Sequence, residues 1–508
     1  MEMKKFKDLN FVMPYIFIVC LSLAFYGGYL EQTYQTDTYN NLYNLQSNYQ
    51  YVTLNTGRYL QFIYFKICYS LGNNPPATQI IHVSLALIIN ALLTYVMYIT
   101  LYRRLQKKGS LPRVSNFMLF LAVLCTRFNV FFSDILQYGD AATVSFMGDL
   151  FAVISAIYVS KENGTKKDIL VAAILLILSV STSQTNIFWF VFFSMLLFYL
   201  DYLRAEFEYP VLQELFKRIA IYFIASVFVL FCFKFLITKP IDGRGDLNNW
   251  NLSNSIGNIL STIKHLLINC MGIMPKFFFC IIGFLFFLLL VLSVFKFRTQ
   301  IYTAKFICVS LLVLIGTFGS IFIVGLFDSW MAHRSVVGYS SLVSMLALML
   351  LIILHQKSNQ TEYNNIIQFT GAIILSVFLL VNWYCTLDIY KGQITTNAVD
   401  QREVGFYYSK ILEYEAKTNN RVENLAFTYD KSPTWSYPTV KAVKSINVRA
   451  MANDWAWIPI FRFVTGRTFN KISYPEDIYE EHVLNKDWSI LSEEQIYCEG
   501  NTAYICWY

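Results

Sequence analysis

Repeated apolar runs of about 20 residues constrain the fold of this chain more than any other feature, because that is the helix length that crosses a bilayer core. About eleven such segments follow one another, and their apolar residues are continuous, whereas membrane strands alternate. The sequence therefore predicts a polytopic α-helical membrane protein. Its expected spans are Phe11–Leu30, Thr78–Leu101, Ser115–Val130, Gly139–Ser160, Asp168–Val180, Asn186–Leu200, Ile219–Leu236, Phe277–Phe295, Phe306–Leu326, Val336–Leu354 and Ile366–Asn382.

Composition agrees with a membrane protein. Hydrophobic residues make up 56% of the 508 residues and charged residues 14%, whereas soluble domains carry about 25% charged residues. The net charge of +7 requires no nucleic-acid partner, since Lys and Arg gather in the cytoplasmic loops of membrane proteins. The cysteines lack CxxC spacing, which argues against a metal site.

The distribution of Lys and Arg predicts the orientation. If the N-terminus is cytoplasmic and the segment after Arg58 does not cross, most basic residues fall in inward connections, as the positive-inside rule requires. The break at Pro75-Pro76 favours a short, non-crossing segment there. We therefore expect a multi-pass protein with a cytoplasmic N-terminus and a C-terminal region on the outer face of the membrane.

Two domains are expected. Residues 1-385 would form the transmembrane domain, with a first periplasmic loop and surface helix at 31-76 and a second large loop at 238-275, part of it amphipathic. Residues 386-508 would form a small periplasmic α/β domain, with one amphipathic helix near 406–414, a strand at Leu425–Tyr429 and a hairpin turning at Gly500-Asn501. That turn would place Cys498 opposite Ala503, which disfavours a disulfide between Cys498 and Cys506.

Polar residues at the expected outer face are the candidates for chemistry. They are Asp37, Arg58, Asp134, Asp140, Gln184, His333 and Arg334, together with Lys239, Asp242, Arg244, Asp246, Asp328 and Trp330 in the exterior loops. An arginine at a membrane edge can hold a lipid phosphate and stabilise the charge that develops as it leaves. A carboxylate can take the proton from an attacking hydroxyl. Each residue could instead be an ordinary interfacial group in contact with headgroup water. Asp149 differs because it should lie deeper, where ionisable groups are costly, although it could simply pair with a neighbouring helix.

Four short motifs carry a family resemblance. Thr36-Asp37-Thr38-Tyr39 and Gly57-Arg58-Tyr59-Leu60 follow the first span, Ser183-Gln184-Thr185 forms a polar turn, and His333-Arg334 lies at a later span mouth. This arrangement resembles the bacterial Gtr-type serotype-converting O-antigen glucosyltransferases, which have the GT-C architecture. Members of that family often have paired acidic residues in the first loop, where this chain has Thr36 before Asp37.

The resemblance implies transfer of a hexose, expected to be glucose, from a polyprenyl-phosphate-linked sugar to lipid-linked O-antigen or another glycan acceptor. It also implies a location in a bacterial inner membrane, with the outer face and the C-terminal domain in the periplasm. Asp37 would be the catalytic base. Arg58, Arg334 and His333 would bind the donor phosphate, and Asp134, Asp140 and Gln184 would support the acceptor. No cofactor is required by these motifs, and a divalent cation is left open. An O-antigen polymerase or ligase, and a transporter or flippase of lipid-linked sugars, remain as alternatives.

Overall fold

The computed structural model describes residues 2–43, 56–107, 111–205, 210–235, 251–296, 304–323, 331–356, 362–429, 442–486, 488 and 491–507. The chain divides into two compact units. The first contains Met1–Glu31 and Tyr49–Asp388, and the second contains Gln32–Asn48 and Ile389–Tyr508. The segment that carries Asp37 therefore groups with the C-terminal residues, whereas the sequence-based boundary assigned it to the transmembrane domain.

The first unit is built from helices. They are α1 (Glu2–Tyr26), α3 (Tyr59–Ser70), α4 (Gln79–Gln106), α5 (Arg113–Arg127), α6 (Phe132–Leu136), α7 (Gly139–Val159), α8 (Lys166–Val180), α9 (Ile187–Arg204), α10 (Val211–Phe235), α11 (Leu252–Asn269), α12 (Phe278–Lys296), α13 (Ala304–Ile323), α14 (Ser341–Gln356) and the first part of α15 (Glu362–Thr418). A further helix, α2, covers residues 36–43 of the second unit.

Each of the eleven predicted spans overlaps one of these helices. Among the described residues, six helical segments are long and apolar enough to cross a membrane: Val12–Leu30, Gln79–Gln106, Gly139–Val159, Gln184–Arg204, Val337–His355 and Glu362–Thr418. Phe278–Val294 and Phe306–Phe322 are apolar but shorter. The helix after Arg58 has only 12 residues, a length of about 18 Å, which is too short to cross a bilayer core of about 30 Å.

Several helices of the first unit carry large apolar side chains on their exposed faces. Examples on three different helices are Phe17 at 56% exposure, Phe223 at 65% and Phe284 at 63%. Water-soluble proteins rarely expose apolar surface so extensively, and hydrocarbon is the solvent that suits such faces. The first unit is thus that of a helical membrane protein.

Ion pairs and hydrogen bonds connect the C-terminal ends of α4, α7 and α9. The guanidinium of Arg104 lies 2.5 Å from the carboxylate of Asp201 and donates to the backbone carbonyl of Ser160 at 2.5 Å. Lys107 and Arg204 both bind Glu162, and these cations hold the pKa of that carboxyl below its ordinary value. The loops expected to share the cytoplasmic side therefore meet at one end of the helical unit.

The second unit begins inside α15, between Asp388 and Ile389. The expected amphipathic helix near 406–414 forms as the C-terminal part of α15, which runs without interruption from Glu362 to Thr418. Apolar periodicity changes along this stretch, but no proline breaks the backbone hydrogen-bond ladder. The predicted helix is therefore continuous with the last expected span.

A four-stranded sheet completes the second unit. Its strands are β1 (Asn424–Tyr429), β2 (Asn470–Ile472), β3 (Ile496–Glu499) and β4 (Thr502–Trp507), in the order β2-β1-β4-β3. β1 is parallel to β2 and β4, and β3 is antiparallel to β4. Helices α16 (Trp457–Thr465) and α17 (Glu476–His482) belong to the same unit.

The C-terminal hairpin forms as predicted. Gly500, with φ of +57°, and Asn501 separate the two strands, and Cys498 pairs with Ala503 across them. Cys506 lies beside Thr428 of β1 instead. Both cysteines are free thiols, and burial raises the pKa of the Cys498 thiol to about 12.

Candidate functional site

A buried turn between α5 and α7 organises the polar residues of the first unit. All residues from Arg127 to Asp134 are buried, so the non-helical backbone within this stretch needs partners inside the protein. The hydroxyl of Tyr26 donates to the carbonyl of Arg127 at 3.1 Å and accepts from the backbone N–H of Asn129 at 2.9 Å. The side-chain oxygen of Asn382 accepts from the N–H of Val130 at 3.0 Å. The first and last predicted spans thus hold this turn in place.

Arg127 is fully buried at the start of the turn. Its Nη2 lies 2.7 Å from the carboxylate of Asp149, and its Nε donates to Asn90 at 2.9 Å. The guanidinium also lies over the rings of Phe132, at 4.3 Å, and Trp189, at 4.4 Å. Asp149 therefore pairs with a neighbouring helix, which is the structural alternative to a functional role considered for it above. Sequence reasoning overlooked Arg127, although a charged residue inside an expected span is a recognisable signal.

The other end of the turn presents Asp134 to Arg334. One carboxylate oxygen accepts from the backbone N–H of Arg334 at 2.9 Å, and the other accepts from its guanidinium at 3.0 Å. The Asp134 side chain is 0% exposed, whereas that of Arg334 is 27% exposed. The ring of Tyr138 lies 4.9 Å from the same guanidinium. A buried anion thus orients a cation that remains partly accessible.

His333 differs from its neighbour Arg334. It is fully buried, and its Nε2 lies 3.2 Å from the backbone carbonyl of Met271, while its ring packs near Phe131. Met271 belongs to a tight turn in which it and Cys270 have positive φ values of 61° and 51°. The contacts of His333 join this turn to the Arg334 segment.

Arg58 lies in a segment bonded on both sides to the polar turn after α8. Gln184 Nε2 donates to the backbone carbonyl of Thr56 at 2.8 Å, and the N–H of Leu60 donates to the carbonyl of Ser181 at 3.0 Å. Gly57 between these bonds has φ of 71°, a left-handed conformation that favours glycine. The fold therefore brings together two of the motifs that carry the family resemblance, Gly57-Arg58-Tyr59-Leu60 and Ser183-Gln184-Thr185. Arg58 itself is half-buried.

Asp140 lies in the first turn of α7, where a carboxylate is favoured by the helix dipole. It is 4% exposed and close to Tyr64. Burial raises the pKa of the Tyr64 phenol to about 12, and the charge of Asp140 adds to that rise. The Tyr64 hydroxyl lies 2.5 Å from Nδ1 of His82.

Asp37 belongs to the second unit. It is exposed on α2 and accepts a hydrogen bond from the indole N–H of Trp455 at 3.1 Å. Trp455 was missed by sequence reasoning because 418 positions separate the two residues, and no local pattern links them.

The segment before α2 is anchored to α15. The backbone N–H of Tyr34 donates to Asn397 at 2.9 Å, and its carbonyl accepts from Gln393 at 2.8 Å. Its ring stacks on that of Tyr39 at 5.0 Å, and both rings pack against Phe463 of α16. Asp37 therefore stands on backbone that the fold of the second unit determines.

The structure thus brings together Asp134 with Arg334, and Gln184 with the segment carrying Arg58, while Asp37 joins Trp455. The candidates Lys239, Asp242, Arg244, Asp246, Asp328 and Trp330 lie outside the described residues. In the part of the chain that is described, no group of three or more His, Cys, Asp or Glu side chains could hold a metal ion. Comparison with protein-family models, with curated proteins and with solved structures gives no match.

Proposed function

We propose that this chain is a membrane glycosyltransferase that moves a hexose, glucose in the first instance, from a polyprenyl-phosphate donor to O-antigen or another surface glycan. The proposal includes a multi-pass arrangement in a bacterial inner membrane, with the N-terminus cytoplasmic and the transfer on the periplasmic side. It is supported by the family resemblance of the short motifs and by the residues that the fold surrounds with defined contacts.

The contact between Asp134 and Arg334 is the observation that carries the proposal. The buried carboxylate binds both the backbone N–H and the guanidinium of Arg334. The guanidinium therefore has few alternative positions and is organised before any ligand binds. Its partial exposure leaves it able to meet an anion. A phosphate is the anion that a lipid-linked sugar would present at a membrane edge, and guanidinium is well suited to bind it.

Arg58 is the second residue that binds the phosphate of the sugar donor in this proposal. Its segment is fixed to the Ser181–Gln184 turn by two hydrogen bonds, so its backbone is also arranged in advance. Two cations on the leaving phosphate would stabilise the negative charge that grows there as the glycosidic bond breaks.

Asp37 is the general base. It would take the proton of the acceptor hydroxyl as that oxygen forms its bond to the anomeric carbon of the hexose. The bond from the anomeric carbon to the phosphate oxygen breaks with its electron pair, and polyprenyl phosphate leaves. The electrons and protons balance without an oxidant or reductant.

One observation favours a second candidate, a transporter or flippase of lipid-linked sugars. The buried ion pair of Arg127 and Asp149 lies between helices that are expected to span the membrane, and such charges often mark transport pathways. Its close packing against aromatic rings is instead typical of a structural element, so we rank this candidate lower.

Transfer by the purified full chain tests the proposal directly. The chain is supplied with synthetic polyprenyl-phosphate glucose and with glycolipid from the cells that make the protein, and hexose on the glycolipid is measured. We expect transfer by the unaltered chain, loss in Asp37→Asn and retention in Asp454→Asn, a control carboxylate that pairs with Lys471. Full activity of Asp37→Asn would remove the base assignment. Movement of the donor across the membrane of proteoliposomes, without any transfer of hexose, would favour the flippase.

A further inference from the structure

The pair formed by Asp37 and Trp455 presents two chemical surfaces side by side in the second unit. The indole of Trp455 is 50% exposed, although indole is among the most apolar side chains. Asp37 is also exposed. The indole N–H occupies one oxygen of the Asp37 carboxylate, and the second oxygen can accept from a different donor.

Both partners stand on defined backbone. The neighbouring Trp457 is nearly buried, and its indole N–H donates to the carbonyl of Met451 at 2.7 Å. The N–H of Ala456 closes a turn onto the carbonyl of Asn453 at 3.0 Å. The rings of Tyr34 and Tyr39, which precede and follow Asp37 in the sequence, stack on each other. A ligand would therefore meet a pair that needs little further ordering, which reduces the entropic cost of binding.

Two basic side chains of this unit have defined contacts. Lys471 binds Asp454 at 2.9 Å, and the guanidinium of Arg462 lies over the ring of Tyr43 at 4.2 Å. An anionic ligand such as nucleic acid or a lipid phosphate would be repelled by Asp37. A neutral ligand with apolar C–H groups on one face and hydroxyls at its edge suits an aromatic plane beside a carboxylate, and a pyranose ring has both.

We infer that Asp37 and Trp455 form a binding site for one neutral sugar ring of the acceptor glycan. Trp455 packs against the C–H face of the ring, and the free oxygen of Asp37 accepts from a hydroxyl. The identity of the glycan as the acceptor rests on the proposed function, whereas the recognition of a sugar ring rests on this pair alone. Trp455 thereby becomes an acceptor-binding residue that also orients the carboxylate of the base.

Kinetics on the full chain give the first test. Trp455→Ala should raise KM for the glycolipid acceptor about tenfold, the loss expected for an aromatic stacking contact, and leave KM for the polyprenyl-phosphate donor unchanged. The acceptor KM of Trp455→Phe should lie between that of the unaltered chain and that of Trp455→Ala, because phenylalanine keeps a ring and loses the N–H. Arg334→Ala should show the opposite pattern, with the effect on the donor. Tyr429→Ala is the matched control, since Tyr429 is another aromatic of this unit with 54% exposure.

Binding without turnover separates this inference from the proposed function. Saturation-transfer NMR is recorded on the detergent-solubilised full chain with the surface glycan of the same cells, freed of its lipid. We expect signal transfer to the glycan that Trp455→Ala abolishes and that Arg334→Ala and Tyr429→Ala retain. Trp455-dependent binding in a chain that transfers no hexose would support the sugar site and reject the transferase. The inference would be overturned if the unaltered chain bound no glycan. It would also be overturned if Trp455→Ala, with an unaltered melting temperature, left both glycan binding and the acceptor KM unchanged.

Discussion

Asp134 binds Arg334 through both of its carboxylate oxygens, one to the backbone N–H at 2.9 Å and one to the guanidinium at 3.0 Å. The two residues are 200 positions apart in the sequence. A carboxylate with 0% exposure requires such partners, because an ionised group without them would be costly to bury. The pair therefore couples the buried turn after α5 to the accessible arginine.

Removal of either member of this pair should lower transfer to a similar extent. We expect Arg334→Ala and Asp134→Ala each to reduce the rate of hexose transfer about 100-fold, the typical effect of losing one preorganised charge-stabilising donor. The double variant should lose little more, since the two residues act as one unit. Initial rates with synthetic donor at saturating acceptor provide the measurement.

Asp134→Asn is the matched variant for this pair. Its amide oxygen can still accept from the backbone N–H of Arg334, but it attracts the guanidinium less, so we expect a smaller loss of about tenfold. Independent, additive effects of Asp134→Ala and Arg334→Ala would show that Asp134 does not act through Arg334.

The buried pair of Arg127 and Asp149 should contribute to stability. Replacing one member, as in Asp149→Leu, leaves an uncompensated charge and should destabilise the protein by about 3–5 kcal/mol. The double variant Arg127→Met with Asp149→Leu should recover much of that loss. Thermal unfolding of the chain in detergent measures both effects.

The exposed pair of Lys107 and Glu162 supplies the control for this experiment. Their side chains are 53% and 41% exposed, so Lys107→Met should shift the melting temperature little. A double variant at Arg127 and Asp149 as unstable as the single one would show that aromatic packing of the guanidinium, and not charge pairing, is the main contribution.

Gly148 should be intolerant of a side chain. A Cβ at this position would overlap the side chains of Thr182 and Asn186, which lie within and just after the turn bonded to the Arg58 segment. We expect Gly148→Ala to destabilise the protein by about 1–3 kcal/mol, as overpacking does, and to reduce hexose transfer. Melting temperature and initial rate are measured on the same preparation.

Gly316 is the matched control, because a Cβ there would meet nothing within 4 Å and it also lies in an apolar helix. Gly316→Ala should preserve both stability and transfer. Equal behaviour of the two variants would mean that the turn near Gln184 can move without consequence.

Apolar patterning predicted much of the first unit. The spans at Thr78–Leu101 and Gly139–Ser160 correspond to α4 and α7 within a few residues, because a helix that satisfies its own backbone is what a long apolar run forms in a membrane. The C-terminal hairpin was also predictable, since Gly500-Asn501 specifies a tight turn and hence the register of Cys498 with Ala503. Local chemistry alone decided these elements.

The partners of the polar residues could not be predicted in this way. Asp134 with Arg334, Arg127 with Asp149 and Asp37 with Trp455 are paired across long stretches of sequence, and no periodicity records which helix packs beside which. Composition and periodicity determined by themselves that this is a helical membrane protein, because solvation of each apolar segment is a local property. Only the tertiary structure decided which charges meet, because burial of an ionised group depends on every element that surrounds it.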